Sequence, residues 1–164
     1  MADHDLMIAV LKQFRVLVRS MDTHYRRVEE RSGLGGAQLW ALAEIVNARH
    51  LTVGDLARKL AIHLSTASNL VKRLESLGLV ERSREGEDQR VVTISPTATG
   101  RKRLQRAPKP SAGILQKALM DMEARELRAL HAQLEKVLQR MGRVDRRAAS
   151  TPIGDILGDG DAAE

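Results

Sequence analysis

The chain has no cysteine, and only three aromatic residues and four prolines among its 164 residues. Without thiols there can be no disulfide, no thiolate metal site and no cysteine-based redox sensor. The aromatics are Phe14, Tyr25 and Trp40, so the middle of the chain has no ring on which an unpaired base could stack. That argues against single-stranded nucleic acid or RNA as a ligand. No apolar run approaches the roughly 20 residues that span a bilayer. The longest, 6–11 and 16–18, are interrupted by Lys12, Gln13 and Arg15. The opening Met1-Ala2-Asp3-His4-Asp5 is acidic, unlike the basic-then-apolar layout of a secretory signal. The expectation is a cytoplasmic protein with no membrane partner.

What the chain does have is positive charge, and most of it lies in one place. The net charge is +6. Residues 1–51 contribute +1 (seven Lys/Arg, six Asp/Glu), residues 52–106 contribute +5 (eleven and six), and residues 107–164 contribute none (nine and nine). A basic third in a soluble chain is the electrostatic footprint of a polyanion ligand. With aromatics missing from that third, double-stranded DNA fits best.

Apolar periodicity divides the chain into helices. Over residues 5–31, Leu6, Val10, Phe14, Leu17, Met21 and Tyr25 recur at three- and four-residue steps, and "SGLGG" ends the pattern. Ala37 to Asn47 is a second helix. Thr52 with Asp55 three residues later is a capping-box start for a third, with Val53, Leu56, Ala57 and Leu60 inward. After a three-residue break, "LSTASNLVKRLESLG" is a fourth, burying Ala67, Leu70, Val71, Leu74 and Leu77 and stopping at Gly78. "LVERS" and "RVVTIS" alternate as strands joined by "REGEDQ". A basic helix is expected from Pro96 to Ala107, interrupted by "APKP". Helical pattern resumes over Ser111 to Leu119 and from Glu123 to Met141, with Leu127, Leu130, Leu134 and Leu138 spaced for burial. From Arg143 onward the chain reads as a tail.

A helix, a short break, a helix and a hairpin make a winged helix-turn-helix, whose second helix enters the major groove. The fourth helix has the chemistry for that. Its outward face is Ser65, Ser68, Asn69 and Lys72, edged by Thr66 and Arg73, all hydrogen-bond donors with no acid among them. Hydroxyls, amide and cations of this kind reach base edges and phosphates. The fold class expected is mainly α with a small β-hairpin wing.

The stretch "LTVGDLARKLAIHLSTASNLVKRLESLGLVERSREGEDQRVVTISPTATG" resembles the DNA-binding core of the MarR (multiple antibiotic resistance regulator) transcription factors. "LVKRLESLGLVER", the wing pattern Asp88-Gln89-Arg90 and "VVTISPTATG" carry the likeness most strongly. The resemblance implies a bacterial homodimer that binds a pseudo-palindromic operator, usually as a repressor released by a small, often phenolic, effector. It implies four regions: an N-terminal dimerisation helix (1–36), the winged domain (37–100), C-terminal dimerisation helices (101–142) and the tail (143–164). It makes Arg90 the wing arginine that enters the minor groove and Asp88 the carboxylate that holds it. Arg82 and Arg84, at the base of the wing, would share the phosphate contacts. The tip departs from the family pattern, because Glu87 stands near a position that is often basic and Glu85 lies beside it.

Residues that could line an effector pocket are Arg19, His24, Tyr25, Trp40 and His63, although Trp40 also suits the core and His63 a helix cap. No catalytic or metal-binding constellation is present: there is no HExxH, phosphate loop or nucleophile elbow, and the histidines stand singly. Neither a cofactor nor an enzymatic activity is expected. The competing expectation is a winged-helix module that docks an acidic protein partner instead of DNA.

Overall fold

The computed structural model describes residues 2–48, 51–84 and 92–158. Helix α1 (Ala2–Ser32) leads through a left-handed Gly33 (φ 66°) into α2 (Gly36–Asn47). Ser32 ends α1 by donating its hydroxyl to the Val28 carbonyl at 2.6 Å and accepting from the Leu34 amide at 3.1 Å. Helix α3 (Val53–Leu60) starts at the capping box expected for it. The Thr52 hydroxyl accepts from the Asp55 amide at 3.1 Å, and the Asp55 carboxylate accepts from the Thr52 amide at 3.0 Å.

The turn from α3 to α4 (Leu64–Ser76) places Ala61 in the left-handed region (φ 54°), closed by the Ile62 amide donating to the Ala57 carbonyl at 3.0 Å. At the far end of α4, Gly78 (φ 67°) donates to the Glu75 carbonyl and Leu79 to the Leu74 carbonyl, at 2.9 Å each. This paired closure redirects the chain into the hairpin. Leu77, expected to face inward, caps the helix instead and is exposed, because the helix stops one residue before it.

Strands β1 (Val80–Ser83) and β2 (Thr93–Pro96) pair antiparallel, with Arg82 opposite Ile94. Leu51 bridges to Ile94 on the other side. Pro96 closes β2 rather than opening the next helix, and α5 (Ala98–Arg106) begins after its N-cap, Thr97. Thr97 joins the elements: its hydroxyl donates to the Gly78 carbonyl at 2.7 Å and accepts from the Gly100 amide at 3.0 Å. The α5 residue Arg103 donates to the Ser32 carbonyl at 2.6 Å and so ties α5 to the end of α1.

One core serves all of this. Leu39, Leu42, Leu56, Leu74, Leu79 and Ile94 are fully buried in a cluster that runs from Val28 to Ala107. Beyond it lie α6 (Ile114–Asp121) and α7 (Ala124–Met141). The burial expected along α7 is not met within the chain. Leu127 and Leu130 are half-buried, Leu134 and Leu138 are exposed, and the helix has no buried residue.

The outer half of α1 is similar, with Leu6, Val10, Phe14 and Leu17 exposed. Residues 143–158 correct the expectation of a tail. A 3₁₀ turn (Arg146–Ser150) and helix α8 (Ile153–Gly158) follow α7, and α8 packs on α1 and α2. Among the described residues no helix is long and apolar enough to cross a membrane, and no cluster of metal-ligating side chains occurs.

Candidate nucleic-acid interface

Helix α4 is fixed by what it buries. Ala67, Leu70, Val71 and Leu74 face α2, α3 and the hairpin, so the opposite side must face outward. Ser65, Asn69, Lys72 and Arg73 are exposed there, while Thr66 and Ser68 are half-buried at its edges. No other described side chain engages Ser65, Asn69 or Lys72, so their donors are free to reach a ligand. The first turn of α4 contains no acid, which leaves the positive end of the helix dipole uncompensated toward an anion. His63 holds the N-cap position expected of it, without a side-chain capping bond, and is exposed.

In β1, Arg82 leans back on α4, with its Nε 3.5 Å from a Glu75 carboxylate oxygen. Arg84 follows β1 and is exposed. Asp88 and Arg90, with Glu85 and Glu87, lie outside the described residues.

The residues considered for an effector separate into two places. Tyr25 and Trp40 line one cavity of about 190 Å³ between α1, α2 and the α3–α4 turn. Arg19 and His24 line a neighbouring depression with Arg27 and Ile114. His63 lines neither. Arg19 is held on α1 by Asp22 at 2.8 Å. His24 is buried; burial pushes its imidazole below its ordinary pKa, a backbone bond at Pro110 opposes this, and the charge of Arg27 adds to it. Its ring stands edge-on to Tyr25, centroids 5.7 Å apart. Trp40 packs against the core as a filler would, and its indole N–H donates to Glu44 at 3.3 Å.

Sequence reasoning missed the rest of the cavity. Gln116 of α6 donates to the Tyr25 hydroxyl at 3.2 Å. Gly36 and Gly154 flank the Tyr25 ring, and a Cβ at Gly36 would lie 2.3 Å from it. Ala149, Thr151, Pro152 and Ile153 complete the wall. A signal for this segment was present. Thr151-Pro152 followed by Ile153, Ile156 and Leu157 is a short helix start with apolar residues at three- and four-residue spacing.

Residues 32–91, which hold the helix-turn-helix and the start of the wing, match the family model described as the MarR family. This chain belongs to the MarR family. The HTH-type transcriptional regulator YdgJ of Bacillus subtilis is 26% identical over 119 residues, 73% of each chain. The HTH-type transcriptional repressor MdtR of the same organism is 26% identical over 95 residues, 58% of this chain and 61% of MdtR. The fold matches that of the protein in a crystal structure of an S. aureus MepR–DNA complex (TM-score 0.55, 23% identity, covering 79% of this chain and 96% of that one). As a MarR-family protein the chain is a DNA-binding transcription regulator and not an enzyme.

Proposed function

We propose that the MarR-family chain acts as a homodimeric repressor. Each α4 would read one half of a pseudo-palindromic operator, and a small effector in the Tyr25–Trp40 cavity would release the DNA. The observation that carries the DNA reading is the α4 face of free donors with no acid in its first turn. Asn69 has the amide that pairs with adenine, Lys72 and Arg73 suit guanine or phosphate, and Ser65, Thr66 and Ser68 suit either. Arg82 and Arg84 would hold the flanking backbone, and Arg90, oriented by Asp88, the minor groove.

The dimer reading is supported by the exposed apolar stretch of α1 from Leu6 to Val18 and by the exposed Leu134, Val137 and Leu138 of α7. Contiguous apolar surface on terminal helices marks an association face. The repressor reading is supported by the likeness to MdtR, which is named a repressor.

The test is a fluorescence-anisotropy titration of DNA from upstream of the chain's own coding region. The wild type should bind it in preference to scrambled duplex. Asn69→Ala should lose about 1–3 kcal/mol of that preference while its melting temperature stays unchanged. A folded wild type that binds both duplexes equally would refute sequence-specific recognition, and would favour the reading of a docking module for an acidic protein.

A further inference from the structure

The cavity beside Tyr25 has a chemistry of its own. Its volume is about 190 Å³, whereas a cavity of roughly 150 Å³ is enough to hold a benzene ring. It has room for one substituted ring. None of its lining residues is charged. Arg19 and His24, the groups that would meet an anion, belong to the neighbouring depression. A carboxylate in the cavity would therefore be buried without a cation, at a large desolvation cost. Asp155, close enough to act on Tyr25 through its charge, adds to that penalty.

The polar end of the cavity is the Gln116–Tyr25 pair. Gln116 Oε1 is buried with no hydrogen-bond partner among the described residues, while its amide nitrogen donates to the Tyr25 hydroxyl at 3.2 Å. That leaves one acceptor, the Gln116 oxygen, and one donor, the Tyr25 hydroxyl hydrogen. Turning the amide over exchanges their places but leaves one of each. A ligand group that both donates and accepts, such as a hydroxyl or a carboxamide, satisfies the pair in either orientation.

The outer wall is made of a different kind of structure. Ala149, Thr151, Pro152, Ile153 and Gly154 enclose one side of the cavity. Yet no residue from 143 to 157 is buried, and the core cluster ends at Ala107. The segment is held by Gly154 against the Tyr25 ring, by the half-buried Ile153 and Leu157, and by an exposed ion pair of Arg146 with Glu135 at 3.2 Å. A segment with so little buried surface opens at a small fraction of the free energy of global unfolding.

We propose that the cavity takes a small uncharged molecule with a hydroxyl or carboxamide on an apolar ring, and that the C-terminal segment is its movable outer wall. The wall opens to admit the ligand and closes over it. This deepens the effector reading and depends on it only for the link to DNA release.

Trp40 is the chain's only tryptophan and lines the cavity, so its emission reports occupancy. Benzamide and benzoate, nearly equal in shape and different in charge, are the probes for the full-length protein at neutral pH. Benzamide should change Trp40 emission saturably and raise the melting temperature, with benzoate weaker by an order of magnitude or more. Equal affinity for benzoate, or no saturable response to benzamide, overturns the ligand class. In stopped-flow dilution, a chain ending at Gly142 and the full-length Gly154→Leu variant should both release benzamide several-fold faster. Gly154→Ala should release it more slowly, because its Cβ would sit in ordinary contact, 3.5 Å from the Tyr25 ring. Equal release rates from all four proteins overturn the movable wall. Benzamide that binds as described but leaves the DNA complex intact refutes the effector reading and upholds the cavity assignment.

Discussion

The winged unit and the helices around it solve the burial problem in opposite ways. From Leu34 to Ala107 the apolar residues are covered by the chain itself: α2, α3, α4 and the hairpin close on Leu39, Leu56, Leu74 and Ile94. Along the outer half of α1 and along α7, side chains of the same types stay exposed. A face that reads DNA must be held rigidly, because groups that contact bases are useful only in fixed register. Apolar stripes on terminal helices are instead suited to a second copy. The chain thus separates a self-sufficient reading head from an incomplete frame.

The largest expected effect breaks the head. A Cβ on Gly100 would sit 2.0 Å from the Leu79 carbonyl oxygen. Gly100→Ala should cost about 3 kcal/mol by overpacking, although alanine is the better helix former, and chemical denaturation would measure it. The next effect breaks the frame and spares the head. Leu17→Asp should raise the dissociation constant of the proposed dimer by about 100-fold or more, since each protomer loses about 1.5–3 kcal/mol of apolar burial. Sedimentation would show a folded monomer.

Smaller again, Lys72→Ala should leave folding and association intact. It should reduce the slope of log affinity against log salt by about 0.9 if Lys72 neutralises one phosphate. An unchanged slope would assign Lys72 to a base edge or to solvent.

The smallest effect tests the entry to the helix-turn-helix. Thr52→Ala should cost about 1 kcal/mol through loss of the cap. Hydrogen bonds from Thr52 hold the Asp55 carboxyl below its ordinary pKa. Its contribution is therefore complete above the ordinary aspartate range and is lost as the pH falls through the lowered value. In Thr52→Ala this acid-side loss should shrink, as thermal melts between neutral and strongly acidic pH would show.

The reading head was legible because its signals are local. Thr52 with Asp55 marks the start of α3, and Gly78 marks the end of α4. The step from Ala67 to Leu74 leaves only one face of α4 for Ser65, Asn69 and Lys72. Leu77 was misread because apolar spacing continues past the point where the Gly78 turn ends the helix. The effector side was less legible. Tyr25 and Trp40 do share a cavity, but Arg19 and His24, which differ from Tyr25 by only a few positions, turn to another depression, as neighbours on a helix do.

Sequence alone determined the helix-turn-helix and hairpin, the concentration of positive charge in residues 52–106, and the donor-only face of α4. Caps, periodicity and charge act over a few residues and need no knowledge of the fold. Tertiary structure alone decided that Gln116 meets Tyr25 across 91 positions, that the segment after Arg143 returns to wall the cavity, and that α7 stays uncovered within the chain. These depend on which distant surfaces meet. That is settled by the shape of the packed core, which no short stretch of sequence encodes.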